Sequence, residues 1–426
     1  MFQNPSLAIV MISNGPGELA TWVKPIAEKL HLKLSMRPKE RDALITLRLV
    51  LVPCPNATGT EHEVAKSWNK FEKITKAKNF WEILINPKKF GFWPQEGLVI
   101  FLGGDQFWSV LLSARLKYKN MTYAEWVARW PYWNDRIAAM SPKVKKMLPK
   151  AMKKRCNVVG DLMADLQVNT NNGKLLNRGK WIALLPGSKR AKLCIGIPFF
   201  IDVADKLSAT VPKLNFLIPI APTTNIKEFE YYGGGGNPIA KQYESGIKSI
   251  TPSINKFNFS KLITNAGTEI YLTEEHPAYE ALSQCDLALT TVGANTAELG
   301  ALGVPMIVII PTQHLNVMEA WDGFLGIIGR LPIIKFFIGL FLSLWRLRKH
   351  GFMAWPNISA NRMVVPERMG KILPKDIAKE AAHWIQSPER LKGQKEDLRS
   401  LRGKPGAVDA MTKEIIDLIP EKYLEE

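Results

Sequence analysis

The sequence predicts an α/β protein built from two doubly wound parallel sheets. Short apolar runs recur along the chain, each ending in a loop of small residues and followed by a helix-compatible stretch. This rhythm breaks at one polar, Asn-rich stretch, Asn169–Arg178, and then restarts. The chain has 426 residues, enough for two cores rather than one.

In order, Leu7–Ile12 is the first strand. The Gly- and Pro-rich turn Ser13–Glu18 follows, then an amphipathic segment, Leu19–Leu34. Leu47–Val52 is the second strand, with a helix-compatible stretch after Glu61. Leu98–Leu102 is the third; it ends in Gly103–Asp105 and runs into a helix over Gln106–Lys117. Ligands of such sheets bind at the carboxyl ends of the strands, where these loops lie. After the linker, Trp181–Leu185 is a strand, the LPGSKR loop ends at Arg190, and Ile197–Leu207 is a helix. Asn215–Ile220, Thr268–Leu272, Leu287–Thr290 and Met306–Ile310 supply further strands. Tyr231–Pro238 holds four consecutive glycines without a helix signal after them, and reads as a flexible surface loop. Pro374–Glu426 is charged and helix-compatible. The expected domains are residues 1–168 and 179–374, with residues 375–426 packing back on the first.

Lys plus Arg outnumber Asp plus Glu by 57 to 39, a surplus that favours an anionic partner. No RNA-binding signature, zinc-finger spacing or basic heptad is present, so nucleic acid ranks below a membrane surface or a phosphorylated substrate. Cys54, Cys156, Cys194 and Cys285 are scattered and read as reduced thiols of a cytosolic protein. The histidines show no paired spacing, and no metal is expected. The start of the chain reads as a strand, not a signal peptide, and no run reaches the ~20 apolar residues that cross a bilayer.

Asp286–Ile310 is the most informative stretch. A strand ends in small residues around Thr291, Gly293 and Asn295; a helix starts near Thr296; Gly303 and a second strand follow. Free N–H groups and the helix dipole at such a start favour an anion. Glu298, one turn in, is placed to accept hydrogen bonds from sugar hydroxyls. A diphosphate with its ribose is half of a nucleotide-sugar.

Phe324–Trp355 is aromatic and aliphatic but broken by Arg330, Pro332 and Lys335. Phe336, Phe337 and Trp345 beside Arg346, Arg348 and Lys349 suit a helix lying in the membrane interface, with cations meeting anionic headgroups. A buried core helix with a solvated basic end is the competing reading.

Four stretches then align with one family: ISNGPGEL near the start, LPGSKR, TVGANTAELGALGVPMIV, and Ala354–Glu367, AWPNISANRMVVPE. Val158–Asp165 is a weaker echo. They follow the family's order, and the chain resembles lipid-A-disaccharide synthase, most closely the cyanobacterial-type proteins related to it. The resemblance implies an inverting glycosyltransferase of the GT-B fold, two Rossmann-like domains facing a cleft. The UDP-sugar would dock on the second domain, and a lipid-linked or phosphorylated saccharide acceptor on the first. The enzyme would act without metal or cofactor, peripherally on the inner face of the cytoplasmic membrane. Departures are visible: GGDQF keeps one aspartate where the family has two, Lys189 replaces an arginine, and Asp161-Leu162 replaces His-Pro.

Gly15, Gly17 and Glu18 would line the acceptor site; a tight turn with an acid near a helix start is the plain alternative. Asp105 is the best-placed general base, to take the proton of the attacking hydroxyl, with Glu18 the other candidate; as a plain feature Asp105 caps a helix. Ser188, Lys189 and Arg190 would neutralise charge on the departing diphosphate. Thr291, Gly293, Asn295, Thr296 and Glu298 would hold the nucleotide. Asn357 and Glu367 match the PN…VPE segment, with ligand contact and a structural role equally open. Two rivals remain: a UDP-N-acetylglucosamine epimerase-type enzyme on this fold, and a non-catalytic, membrane-attached UDP-sugar-binding protein.

Overall fold

The computed structural model describes residues 6–35, 44–53, 59–166, 176, 179–188, 190–221, 224–252, 259–313 and 351–424. The chain forms two compact units, residues 1–166 with 403–426, and residues 167–402.

The first unit is a seven-stranded sheet. Its strands are β1 (Ser6–Ser13), β2 (Leu44–Leu51), β3 (Lys73–Thr75), β4 (Glu96–Phe101), β5 (Lys119–Ala124), β6 (Arg136–Ala139) and β7 (Cys156–Val158). All pairs are parallel, in the order β3-β2-β1-β4-β5-β6-β7. A parallel sheet is covered on both faces, which is why β1 is an unbroken buried run rather than an alternating one. Ile12 stands opposite Val50 on one side and Phe101 on the other. The chain leaves β1 in one direction and returns to β4 in the other. The loops after β1 and β4 therefore flank a topological switch point.

The second unit is an eight-stranded sheet of β8 (Lys180–Leu185), β9 (Leu214–Pro219), β10 (Ile247–Thr251), β11 (Phe259–Thr264), β12 (Glu269–Thr273), β13 (Leu287–Thr291), β14 (Met306–Pro311) and β15 (Glu367–Gly370). The order is β10-β11-β12-β9-β8-β13-β14-β15, with β10 and β11 antiparallel at one edge. Here the switch point lies between β8 and β13, so the loops ending those strands adjoin.

Several elements differ from the sequence reading. The segment Leu19–Leu34 opens as a π-helical stretch, Leu19–Val23, before the α-helix Lys24–Ser35. Pro25 has no N–H for the carbonyl four residues back, so the ladder widens there. The glycine run is no free surface loop. The helix Ile226–Gly233, held by an Asn225–Glu228 capping box, ends inside it, and buried Asn237 donates to Cys194 O and Tyr232 O, both at 2.7 Å. Of residues 375–426, only the last part returns to the first unit. Helix Pro374–Ile385 stays in the second, where Trp384 and Ile385 share a core with Phe199 and Phe200. Helix Ala407–Ile416 packs in the first unit, and Asp165 seals it by accepting from the N–H groups of Gly406 and Val408. Nearly all of Asn169–Arg178, and residues 324–350 of the apolar segment, lie outside the described residues. Among the described residues no helix is long and apolar enough to cross a membrane.

Candidate functional site

The switch point of the first unit is built around Glu18. Its carboxyl folds back over Gly15, where an added Cβ would sit 1.5 Å from Oε2, so only glycine leaves room for the acid. Gly103, from the loop after β4, closes the other side; a Cβ there would meet Ser13 Oγ at 2.5 Å and Glu18 Cβ at 3.1 Å. Ser13 Oγ and Asn14 Oδ1 are buried without hydrogen-bond partners. Glu18 itself keeps partial solvent exposure. Burial raises its carboxyl above the ordinary 4.5, and a backbone hydrogen bond opposes the rise in part. A partly accessible carboxyl held above its usual range is suited to take a proton from a hydroxyl. Gly17 contributes its carbonyl to Thr21 Oγ1 at 2.8 Å and has a backbone role.

Asp105 is placed differently. Its Oδ1 accepts from Phe107 N at 2.9 Å at the start of helix Phe107–Leu116, and its Oδ2 lies 3.5 Å from Arg129 Nη1. It is about half exposed. That is the helix-cap arrangement, with a cation as second partner.

At the switch point of the second unit, Thr291 ends β13 and its buried Oγ1 has no partner. A Cβ at Gly187, in the loop after β8, would lie 3.4 Å from that oxygen, so the two loops touch. Lys192, in helix Arg190–Thr210, donates to Val292 O at 2.6 Å and crosses between them. Gly293 and Ala294 are exposed at the start of helix Ala294–Leu302. Asn295 and Glu298 are partly exposed on its first turns. Tyr279 faces Glu298: burial, and then that acid, raise the phenol. A cavity of about 30 Å³ lies under the strand ends, lined by Lys192, Phe199, Phe200, Thr291, Ile309 and Pro311 among others. The crevice thus joins an exposed helix start, a cation and an orphaned hydroxyl, the elements that hold a phosphate.

No family model matches the chain. Curated proteins named lipid-A-disaccharide synthase align at 21–27% identity over about half of it. One from Myxococcus xanthus is 25% identical over 244 residues, 56% of this chain and 49% of that protein. The chain is thus similar, at low identity, to proteins named lipid-A-disaccharide synthase. It spans about half the length of the curated relatives it matches. In fold it is similar to a putative UDP-N-acetylglucosamine 2-epimerase from Listeria monocytogenes, with TM-score 0.53, 12% identity, and 98% and 96% of the two chains covered. The UDP co-structure of S. aureus MnaA gives TM-score 0.53 and 12% identity over 97% and 98%. The fold is therefore GT-B.

The PN…VPE segment has a structural job. Asn357 is fully buried. Its Oδ1 accepts from Val364 N and Val365 N at 2.7 and 2.8 Å, and its Nδ2 donates to Val365 O and Glu367 Oε1 at 2.8 and 2.7 Å. That uses its whole hydrogen-bonding capacity. Glu367 also accepts from Met353 N and Ala354 N. Of the two roles left open for Asn357 and Glu367, these contacts are those of the structural one. The clasp fixes helix Trp355–Ala360, whose Trp355 N donates to Thr296 Oγ1 at 3.2 Å. Thr296, itself buried, donates its hydroxyl hydrogen bond to Gly293 O at 2.9 Å. Thr296 therefore shapes the loop.

Ser188 is exposed in the loop after β8. Lys189 and the membrane candidates Phe336, Phe337, Trp345, Arg346, Arg348 and Lys349 lie outside the described residues, and Arg190 opens its helix. The sequence reading missed Lys192. Its signal in the sequence is its place in the first turn of the helix that follows the LPGSKR loop.

Proposed function

We propose that this chain is an inverting glycosyltransferase, moving a sugar from a UDP-sugar to a lipid-linked or phosphorylated saccharide at a membrane surface. The crevice of the second unit carries the reading, because its exposed helix start, Lys192 and the orphaned Thr291 hydroxyl are the complement of a nucleoside diphosphate. The N–H groups at Gly293–Asn295 receive the diphosphate, and Glu298 accepts from the ribose hydroxyls. Ser188, Lys189 and Arg190 take up charge as UDP leaves, a role that needs no metal. Glu18 is the base: it takes the acceptor hydroxyl's proton while the new C1–O bond forms, the bond to UDP breaks and the anomeric centre inverts. Phe336, Phe337 and Trp345 with Arg346, Arg348 and Lys349 attach the enzyme to the inner membrane face.

The test is calorimetric titration with UDP, then a screen of UDP-sugars with bacterial lipid extract, reading released UDP. The expected result is UDP binding, weakened about tenfold or more in Lys192→Met, and UDP release that needs both donor and lipid. An absence of UDP affinity would sink the reading. Sugar isomerisation without acceptor would make the protein an epimerase, and affinity without turnover a binding protein.

A further inference from the structure

The hollow beneath Thr291 in the second unit has a size and a lining that the diphosphate does not use. It measures about 30 Å³ and is partly open. Ile195, Phe199 and Phe200 line it from helix Arg190–Thr210, and Ile309, Ile310 and Pro311 line it from β14. All six are buried. Among the described residues that border it, the polar side chains are Lys192 and Thr291. Lys192 is partly exposed and tied to Val292 O at 2.6 Å, so it marks the side on which the hollow meets the crevice. Thr291 Oγ1 is buried there without a hydrogen-bond partner.

The walls are fixed. Phe199 stands edge-on to Phe200, with ring centroids 5.5 Å apart and planes at 83°, and edge-on to Tyr243 at 6.1 Å. Phe199, Phe200 and Ile309 belong to one core, and close-packed side chains do not swing aside. A Cβ on Gly196 would come within 2.8 Å of Pro186 O, so the helix already presses on the loop after β8. A water fills roughly 10–15 Å³ in this measure, and the hollow therefore takes about two groups of that size. A bound water also needs roughly two to four polar partners, and walls of isoleucine and phenylalanine supply none. A methyl with the carbon that bears it fits; a long acyl chain does not.

We propose that the hollow seats the methyl of an acetamido group on the donor sugar, so that this chain selects a short N-acyl donor over an unsubstituted or a long-chain one. This rests on the transferase reading, because it sets the sugar of a UDP-sugar beside the same Thr291. A hydroxyl that donates to a phosphate oxygen still has lone pairs, and one of them accepts from the amide N–H. The methyl leaves water for an apolar wall, and displaces at most a poorly held water.

The experiment is calorimetric titration of the full chain with UDP, UDP-glucose, UDP-N-acetylglucosamine, and the N-propanoyl, N-hexanoyl and N-decanoyl analogues of the last. A group that fills an apolar pocket is worth roughly tenfold or more. UDP-N-acetylglucosamine should therefore bind at least about tenfold more tightly than UDP-glucose, and the N-hexanoyl and N-decanoyl analogues more weakly than the N-acetyl donor. Ile309→Val widens the hollow by about one methylene, and should move the preference from N-acetyl toward N-propanoyl by roughly threefold. Circular dichroism checks that this variant folds, and the wild-type series stands without it. Equal affinity for UDP-glucose and UDP-N-acetylglucosamine, with UDP itself bound, would overturn the proposal and leave the transferase reading intact. Tightest binding of the N-decanoyl donor would overturn it in favour of a long-chain donor seated elsewhere. A chain with no affinity for UDP would lose both.

Discussion

The two sheets place a crevice at the same topological point and furnish it with opposite chemistry. In the first unit the crowding of Gly15 and Gly103 presses an acid into a site that disfavours its charge. In the second, Lys192, an exposed helix start and an unpartnered threonine hydroxyl make a site that disfavours leaving an anion out. Topology fixes where ligands bind on such folds, but only the side chains decide what charge they meet.

Three changes probe this contrast, in falling order of effect. Glu18→Gln should lower kcat roughly 10²- to 10⁴-fold while UDP affinity stays near wild type. An equal loss of UDP affinity would show that the acid serves both crevices and would undo the contrast. The same variant has a pH signature. Because the folded-state pKa of Glu18 is raised, the stability linked to its protonated form is fully present below about 4.5 and is lost as pH rises through the raised value. Glu18→Gln should therefore melt higher than the wild type at neutral pH and level with it in acid. Wild-type activity should climb with pH through the same range. Next, Asn357→Ala should cost about 2–4 kcal/mol in denaturant unfolding, since it strands two buried N–H groups and takes one donor from the Glu367 carboxylate. Asn357→Asp is no rescue, because it sets a second acid 2.7 Å from Glu367. A variant of normal stability that fails only to bind UDP would return Asn357 to ligand contact. Last, Asp105→Asn should change kcat less than about threefold, because asparagine also caps helices. A loss as deep as that of Glu18→Gln would move the base to Asp105.

Much of this frame was legible in the residues. The unbroken apolar runs that become β1, β4, β8, β13 and β14 announced a parallel sheet, and the small residues after them announced loops at its carboxyl edge. The rest was hidden for identifiable reasons. β3, β7 and β15 are three or four residues long, and β15, Glu-Arg-Met-Gly, carries polar side chains at a sheet edge. No periodicity marks such strands. Part of the packing around Glu18 comes from Gly103, far along the chain, and residues so distant in sequence leave no local pattern. The PN…VPE resemblance pointed to the right residues but not to their task, since a buried clasp and a ligand contact call for the same amide and carboxylate.

The Asp165 seal has a consequence for biosynthesis. Its partners Gly406 and Val408 lie 241 and 243 positions downstream. While the ribosome extends the second unit, the first must wait with its carboxylate unsatisfied and the seat of its last helix vacant. The half of the protein made first is the half completed last.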